Sequence, residues 1–368
     1  MLIKHSICPS CSVGCGINLI NKNGKIVGTY PYKNHPINEG KNCLRGKNIY
    51  KIVDENRILI PLKKEQNKLV ESNWEDVINL VSNEFKSYSP EEIGILISGT
   101  NTNEENELIS KFAKGQKITN VGVYADNFPK FNKEIGNYDD LNDAKSILLI
   151  GDIIKENPLI GRRIIIAKEN GAKIFSVDDV NQTTTSINST KHFKTFSITK
   201  FLEEFPQEIK DELGKSSLIV FNKIDLKEDF DKIVKIAEDS NSKILPVLKD
   251  CNSFDAINKV PPLNKEEIAK IINSVKLLLL INIDIFSFFD ESEVNIHIPK
   301  YLISITHSLN ESSSVSNIVL PSYCWAEKSG TFTNTAGEVQ SFDRVIKAPE
   351  NALEEIQILK MIEKKLKA

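Results

Sequence analysis

From residue 74 onward the chain alternates between two hydrophobic periods. Trp74, Val77, Ile78, Val81 and Phe85 recur at three- and four-residue spacing behind the cap candidates Ser72 and Asn73, which predicts a helix. The next apolar stretch, Ile93-Gly94-Ile95-Leu96-Ile97, is continuous and of strand length. A polar turn from Ser98 to Asn103 then leads into a second helical pattern from Glu104 to Phe112, completing a βα unit. The unit recurs as a strand over 146–152 ending in a glycine turn, a helix over 159–170 and a strand over 173–178. Further strands read at 217–221, 243–247, 275–283 and 301–305, with helices over 227–238, 265–275 and 353–366.

Such alternation predicts the α/β class, here two doubly wound, mostly parallel sheets. Ligands of these sheets sit beyond the carboxyl ends of strands, so loops 98–103 and 151–157 are candidates for a binding face, although both also read as plain connections. No G-x-G-x-x-G or P-loop pattern is present to sharpen that choice.

Residues 1–58 break the pattern. They read as short strands and turns punctuated by Gly24, Gly28, Gly40 and Gly46, with too little apolar sequence for a large core of their own. Chemistry must organise this part. Cys8, Cys11, Cys15 and Cys43 are spaced C-x2-C-x3-C-x27-C, and four thiolates can complete one [4Fe–4S] cluster. Structural zinc more often uses two similar C-x2-4-C pairs, and here the second half offers one cysteine. Disulfides suit small secreted domains, whereas Met1-Leu2-Ile3-Lys4-His5 opens no secretory apolar region. The remaining cysteines, Cys251 and Cys324, are isolated.

Charge adds only exclusions. A net charge of −3 gives no reason to expect nucleic acid or an anionic membrane as partner. The most apolar run, 275–289, is interrupted by Asn282 and Asp284 and falls short of the roughly 20 residues of a membrane span, so it reads as a buried strand. Free thiolates and an oxygen-sensitive cluster fit a reducing compartment, which predicts a cytoplasmic protein that partners can hold at the inner membrane face.

The motifs also carry a family resemblance. Cys8-Pro9-Ser10-Cys11-Ser12-Val13-Gly14-Cys15-Gly16, His35-Pro36-Ile37-Asn38-Glu39-Gly40 and Cys43-Leu44-Arg45-Gly46 together resemble the cluster domain of molybdopterin oxidoreductases, above all formate dehydrogenase large subunits. Leu149-Ile150-Gly151-Asp152, Pro158 to Arg163 and Glu327-Lys328-Ser329-Gly330-Thr331-Phe332-Thr333-Asn334-Thr335 agree. The last segment also resembles the iron-sulfur large subunit of NADH-quinone oxidoreductase. The resemblance implies a [4Fe–4S] domain over 1–58, a discontinuous α/β domain over 59–136 plus 262–368, and an inserted α/β domain over 137–261.

Three departures bear on the metal-pterin site that this family carries. Where formate dehydrogenases supply cysteine or selenocysteine to molybdenum or tungsten, this chain has Phe128 followed by Pro129, with Tyr124, Asp126 and Asn127 as the nearby oxygen or amide groups. Where basic residues help hold the pterin dinucleotide, Val177-Asp178 continues into Asp179-Val180-Asn181, and a second carboxylate would repel phosphate. The C-terminal pterin-binding domain has no counterpart after Lys347-Ala348-Pro349, although a separate chain can supply it. The expectation is an iron-sulfur electron-transfer subunit of a larger redox complex, partnered by other redox subunits, with molybdopterin guanine dinucleotide and Mo or W disfavoured. The alternatives are a catalytic formate or formylmethanofuran-type dehydrogenase subunit completed by a separate pterin-binding chain, and a structural scaffold.

Four other positions invite a role. Arg45 stands two residues after the fourth cysteine, where catalytic relatives carry a lysine between cluster and pterin, and reads as a cofactor contact or a surface counter-charge. His5 reads as a ligand to a second centre or a solvated loop residue, and His35 as packing beneath the fourth-cysteine loop. Glu327 and Lys328 read as a pair, solvated by default.

Overall fold

A computed structural model describes residues 1–289 and 296–368. Its centre is two parallel sheets. In the five-stranded sheet the order is Lys191–Lys194, Lys173–Asp178, Ser146–Ile150, Ser217–Phe221, Lys243–Pro246, all parallel. The order reverses beside Ser146–Ile150, which makes the sheet doubly wound and puts a crevice at its carboxyl edge. The eight-stranded sheet runs Pro262–Leu263, Asn120–Tyr124, Ile93–Ile97, Leu277–Ile281, Tyr301–Thr306, Ile318–Pro321, Leu62–Glu65, Lys68–Glu71, and only the last two pairings are antiparallel.

The central strands Ile93–Ile97, Ser146–Ile150, Ser217–Phe221 and Leu277–Ile281 are buried at every position, as unbroken apolar runs in a two-sided parallel sheet must be. The helices begin where the sequence offers caps. Asn73 accepts the Asp76 N–H ahead of Trp74–Ser87, and Thr102 with Glu105 forms a capping box ahead of Asn103–Gly115.

The apolar run 275–289 is not one strand. It stops at Ile281 because Asn282 turns left-handed at φ 54°, and Ile285–Phe288 forms a single 3-10 turn. The sequence reading missed Asn120–Tyr124, Lys191–Lys194, Ile318–Pro321 and the antiparallel pair Leu62–Glu65 and Lys68–Glu71. Most of these are four residues long or carry lysines at a sheet edge, and such strands show little hydrophobic signal.

The first 31 residues form a three-stranded antiparallel sheet, Leu2–Ile7, Gly16–Lys22 and Lys25–Pro31. Its core is shared: Ile7, Val13, Ile17 and Leu19 lie in one apolar cluster with Leu149, Ile160 and Val220 of the five-stranded layer and with Trp325 and Phe332. Trp325 fixes the join by donating its indole N–H to the Ile7 carbonyl at 3.0 Å.

Candidate metal centre

The hairpin Leu2–Ile7 with Gly16–Lys22 ends in the loop that carries three cysteines, and the Cys8 N–H closes it on the Cys15 carbonyl at 2.8 Å. Gly14 sits there at φ +76°, and a Cβ on it would lie 2.0 Å from Gln340 Oε1, so only glycine fits. The loop is tied down from outside: Thr335 N–H donates to the Ser12 carbonyl at 2.8 Å and the Tyr138 hydroxyl to the Val13 carbonyl at 2.7 Å. The fourth cysteine arrives on a separate loop as the N-cap of the short helix Leu44–Asn48, its Sγ accepting the Gly46 N–H at 3.4 Å. A Cβ on Gly46 would stand 3.8 Å from both Cys43 Sγ and Cys8 Sγ.

All four predicted cysteines thus line one cavity, closed by Val13, Ile17, Pro158 and Leu159. Burial and the neighbouring Cys11 push the Cys8 thiol up to about 12. Burial raises Cys11, against the Val13 N–H, the Arg45 charge and the Asn157 amide. Burial and the other three sulfurs hold Cys15 well above the usual thiol range. Burial thus keeps Cys8, Cys11 and Cys15 protonated, and of the nearby charges only Arg45 and Arg163 favour a thiolate there.

Among the described residues no three His, Cys, Asp or Glu side chains converge as ligands of a single ion. A zinc site would draw its sulfurs to about 2.3 Å of one point. Here the thiols surround a volume, and that donor set fits a cube of iron and sulfide ligated at its corners.

Beyond Cys11 and Arg45 opens a cleft of about 360 Å³, walled by Asp126, Phe128, Glu156 and Lys249. Asp126, Glu156 and Asn222 pass it on to a second space of about 590 Å³ lined by Gly151, Asp178, Asp179 and Lys223. This is the carboxyl edge of Ser146–Ile150, Lys173–Asp178 and Ser217–Phe221, the switch point of the sheet. Loop 151–157 lines it. Loop 98–103 does not: Asn101 is fully buried, its carbonyl accepting from Asn252 Nδ2 at 2.6 Å, and Gly99 N–H donates to Asp250.

The other candidate residues fall as follows. Phe128 is 2% exposed and stacks on Phe221 with ring centres 5.7 Å apart. Asp126 stands at φ 50° and accepts the Tyr124 hydroxyl. Arg45 reaches from the cysteine loop to donate to the Glu156 carbonyl, and Asn222 Nδ2 bonds the Glu156 carboxylate at 2.5 Å. Burial, with Asp152 and Asp178, raises Glu156.

The two carboxylates expected to repel phosphate, Asp178 and Asp179, share one counter-charge, Lys223, whose Nζ lies 3.5 and 3.3 Å from them. Lys223 is forty-four residues downstream of Asp179 and carried no local signal. His5 stacks on Tyr32 at 3.9 Å and bonds Asn18, so it is no free loop residue. His35 packs over Gly16, whose N–H it accepts at 3.2 Å, rather than under the Cys43 loop.

Glu327 and Lys328 are neither solvated nor paired with each other. Glu327 takes Arg57 at 2.5 Å, and Lys328 takes Glu105 at 2.5 Å and Glu355 at 3.2 Å, all buried.

Two family models match the chain: the molybdopterin oxidoreductase Fe4S4 domain over residues 1–55 and molybdopterin oxidoreductase over residues 57–365. The F420-dependent formate dehydrogenase 2 subunit alpha of Methanococcus maripaludis is 27% identical, covering 100% of this chain and 70% of its own length. That alignment runs over 480 positions against 368 residues here, so about 112 positions of the relative have no counterpart inside the aligned span. NADH-quinone oxidoreductase subunit 3 of Thermus thermophilus is 29% identical over 43% of this chain and 20% of its own. Among solved structures, acetylene hydratase from Pelobacter acetylenicus shares the fold at TM-score 0.66 and 14% identity, over 99% of this chain and 69% of that one.

Proposed function

Because this chain belongs to the molybdopterin oxidoreductase family and carries its Fe4S4 domain, we propose that it is an iron-sulfur electron-transfer subunit of a larger redox complex whose own metal-pterin site has been lost. A [4Fe–4S] cluster, when bound, supplies one-electron transfer. We assign Cys8, Cys11, Cys15 and Cys43 as its ligands. Val13, Ile17, Pro158 and Leu159 exclude water from the sulfurs, the Gly46 N–H bonds one of them, and Arg45 sets a positive charge between the cavity and the cleft.

One observation carries the loss of the pterin site: Phe128, at the position the resemblance gives to the metal thiolate, is locked into a buried aromatic stack with Phe221. A phenyl ring has no lone pair to offer a metal. Part of the cleft supports the reading, because several of its polar groups already serve one another, although Lys155 and Lys249 also line it. Lys223 holds Asp178 and Asp179, Asn222 holds Glu156, and Arg45 holds a backbone carbonyl. At the metal position, then, the side chain present does not suit molybdenum or tungsten.

On this reading the chain divides into a cluster domain over 1–58, a discontinuous α/β domain over 59–136 plus 262–368 and an inserted one over 137–261. Other redox subunits supply its donor and acceptor, as the subunit names of its relatives favour. Among the described residues no helix is long and apolar enough to cross a membrane, and we place the chain in the cytoplasm.

Metal analysis of the purified native complex is the decisive test. Iron and sulfide at about four each per chain with no molybdenum or tungsten bear the reading out. Stoichiometric Mo or W with extractable pterin overturns it. A cluster that stays redox-silent in an EPR titration across the physiological range would reduce the chain to a scaffold.

A further inference from the structure

We propose that the side-chain amide of Asn42 is a hydrogen-bond donor to the cluster and holds its reduction potential up. The inference rests on the assignment of the four cysteines as ligands and adds to it a residue that no cysteine spacing announces. Both polar atoms of the Asn42 side chain are buried and without any hydrogen-bond partner in the chain. A buried amide left unpaired is costly, and native structures hold few of them.

This one lines the cavity of the four thiols, in the position directly before Cys43. The point where a Cβ on Gly46 would stand lies 3.9 Å from Asn42 Cβ and 3.8 Å from the sulfurs of Cys43 and Cys8. The amide is therefore held within a side chain's reach of two ligand sulfurs.

The chemistry of sulfur fixes which end of the amide turns inward. Thiolate and sulfide accept hydrogen bonds and have nothing to donate, so Nδ2 faces the cluster and Oδ1 faces away. The Gly46 N–H to Cys43 is a backbone donor of the same kind, but only proline removes it, and proline also fixes the backbone there. Asn42 can be. A donor stabilises the more negative reduced cluster more than the oxidised one, which raises the potential. Arg45, on the opposite side of Cys43, lies toward the cleft and adds charge without this direct bond.

The test compares the full chain with Asn42→Leu and Asn42→Asp after anaerobic reconstitution with iron and sulfide. Iron content, an EPR-monitored redox titration, and pulsed EPR of the reduced cluster after exchange into D2O are read on each. Loss of the donor in Asn42→Leu is expected to cut the reduced-to-oxidised ratio at the wild-type midpoint about tenfold, a shift of about 59 mV downward for a one-electron couple. Asn42→Asp, nearly isosteric and negatively charged, is expected to shift further the same way. One exchangeable deuteron coupled to the wild-type cluster should vanish in the leucine variant.

Unchanged midpoints at full iron content, or an unchanged deuteron coupling, overturn the proposal. Should Asn42→Leu hold no cluster, the aspartate variant decides alone, and failure of both to hold one would make Asn42 an assembly residue and overturn the tuning role. A wild-type chain that takes up no cluster would instead sink the ligand assignment itself.

Discussion

The thiol cavity and the buried group around Lys328 both crowd acidic side chains into low dielectric, yet they resolve the repulsion differently. Glu105 and Glu355 are each fully or nearly fully buried, with Lys328 Nζ 2.5 and 3.2 Å away. Asn282 Nδ2 bonds Glu355 at 2.7 Å and the Thr102 N–H bonds Glu105 at 2.7 Å. Burial, reinforced by Glu355, pushes Glu105 up to about 8, so one carboxyl keeps its proton at neutral pH. Burial opposes the Lys328 ammonium, but its contacts with Glu105 and Glu355 hold it firmly protonated. One cation, one anion and one neutral acid close the group from within. The four thiols have no such cation among them. A buried acidic cluster without an internal counter-charge marks a place where the chain expects an imported one, and Asp178, Asp179 and Lys223 fall on the self-sufficient side of that line.

The largest effect that separates the two regions is all-or-none. Cys8→Ser or Cys43→Ser is expected to abolish the broad visible absorption of the reconstituted cluster, and retention in both variants would refute the ligand assignment. Lys328→Met should do the converse. Stranding Glu105 and Glu355 without their cation is expected to lower stability by about 3–5 kcal/mol in denaturant unfolding, while the folded fraction keeps its cluster absorption. A loss under about 1 kcal/mol would mean that water, not Lys328, balances the carboxylates.

The sequence revealed these regions unequally. The cysteines announced themselves because a cluster loop needs a fixed ligand type at short spacing, and the buried strands because parallel sheets leave unbroken apolar runs. Lys328 was visible only as a charge in a motif. Its partners Glu105 and Glu355 are 223 and 27 residues away, and no local pattern records such a meeting. Lys223 and Asn42 stayed hidden for the same reason: one answers carboxylates at the end of a strand two places away in the sheet, and the other is informative only once its amide is seen without a partner. Local chemistry is legible in sequence, and counter-charges across the fold are not.

A pH profile sharpens the comparison further. Glu105 has its pKa raised in the folded state, from about 4.5 to about 8. Its stabilising contribution is therefore complete below the unfolded value near 4.5 and is lost as pH rises through about 8. Glu105→Gln, which mimics the protonated acid, should flatten the decline in melting temperature between pH 5 and 8. The Thr102 cap should survive, because the glutamine amide oxygen can accept the same N–H. An unchanged slope would place the titrating proton elsewhere.

The smallest effect distinguishes two explanations for the loss of the pterin site. Asp179 is about half exposed, and its bridge to Lys223 is of the surface kind, so Asp179→Asn is expected to change stability by less than about 1 kcal/mol. Removing this carboxylate leaves Lys223 with Asp178 alone and takes one negative charge from the space a phosphate would enter, yet Phe128 remains stacked on Phe221. If the aromatic residue is what closes the site, Asp179→Asn complexes should still contain no molybdenum or tungsten when produced with either metal in excess. Uptake of metal and pterin by this variant alone would show that charge at the far end of the cleft, and not the missing thiolate, had kept the cofactor out.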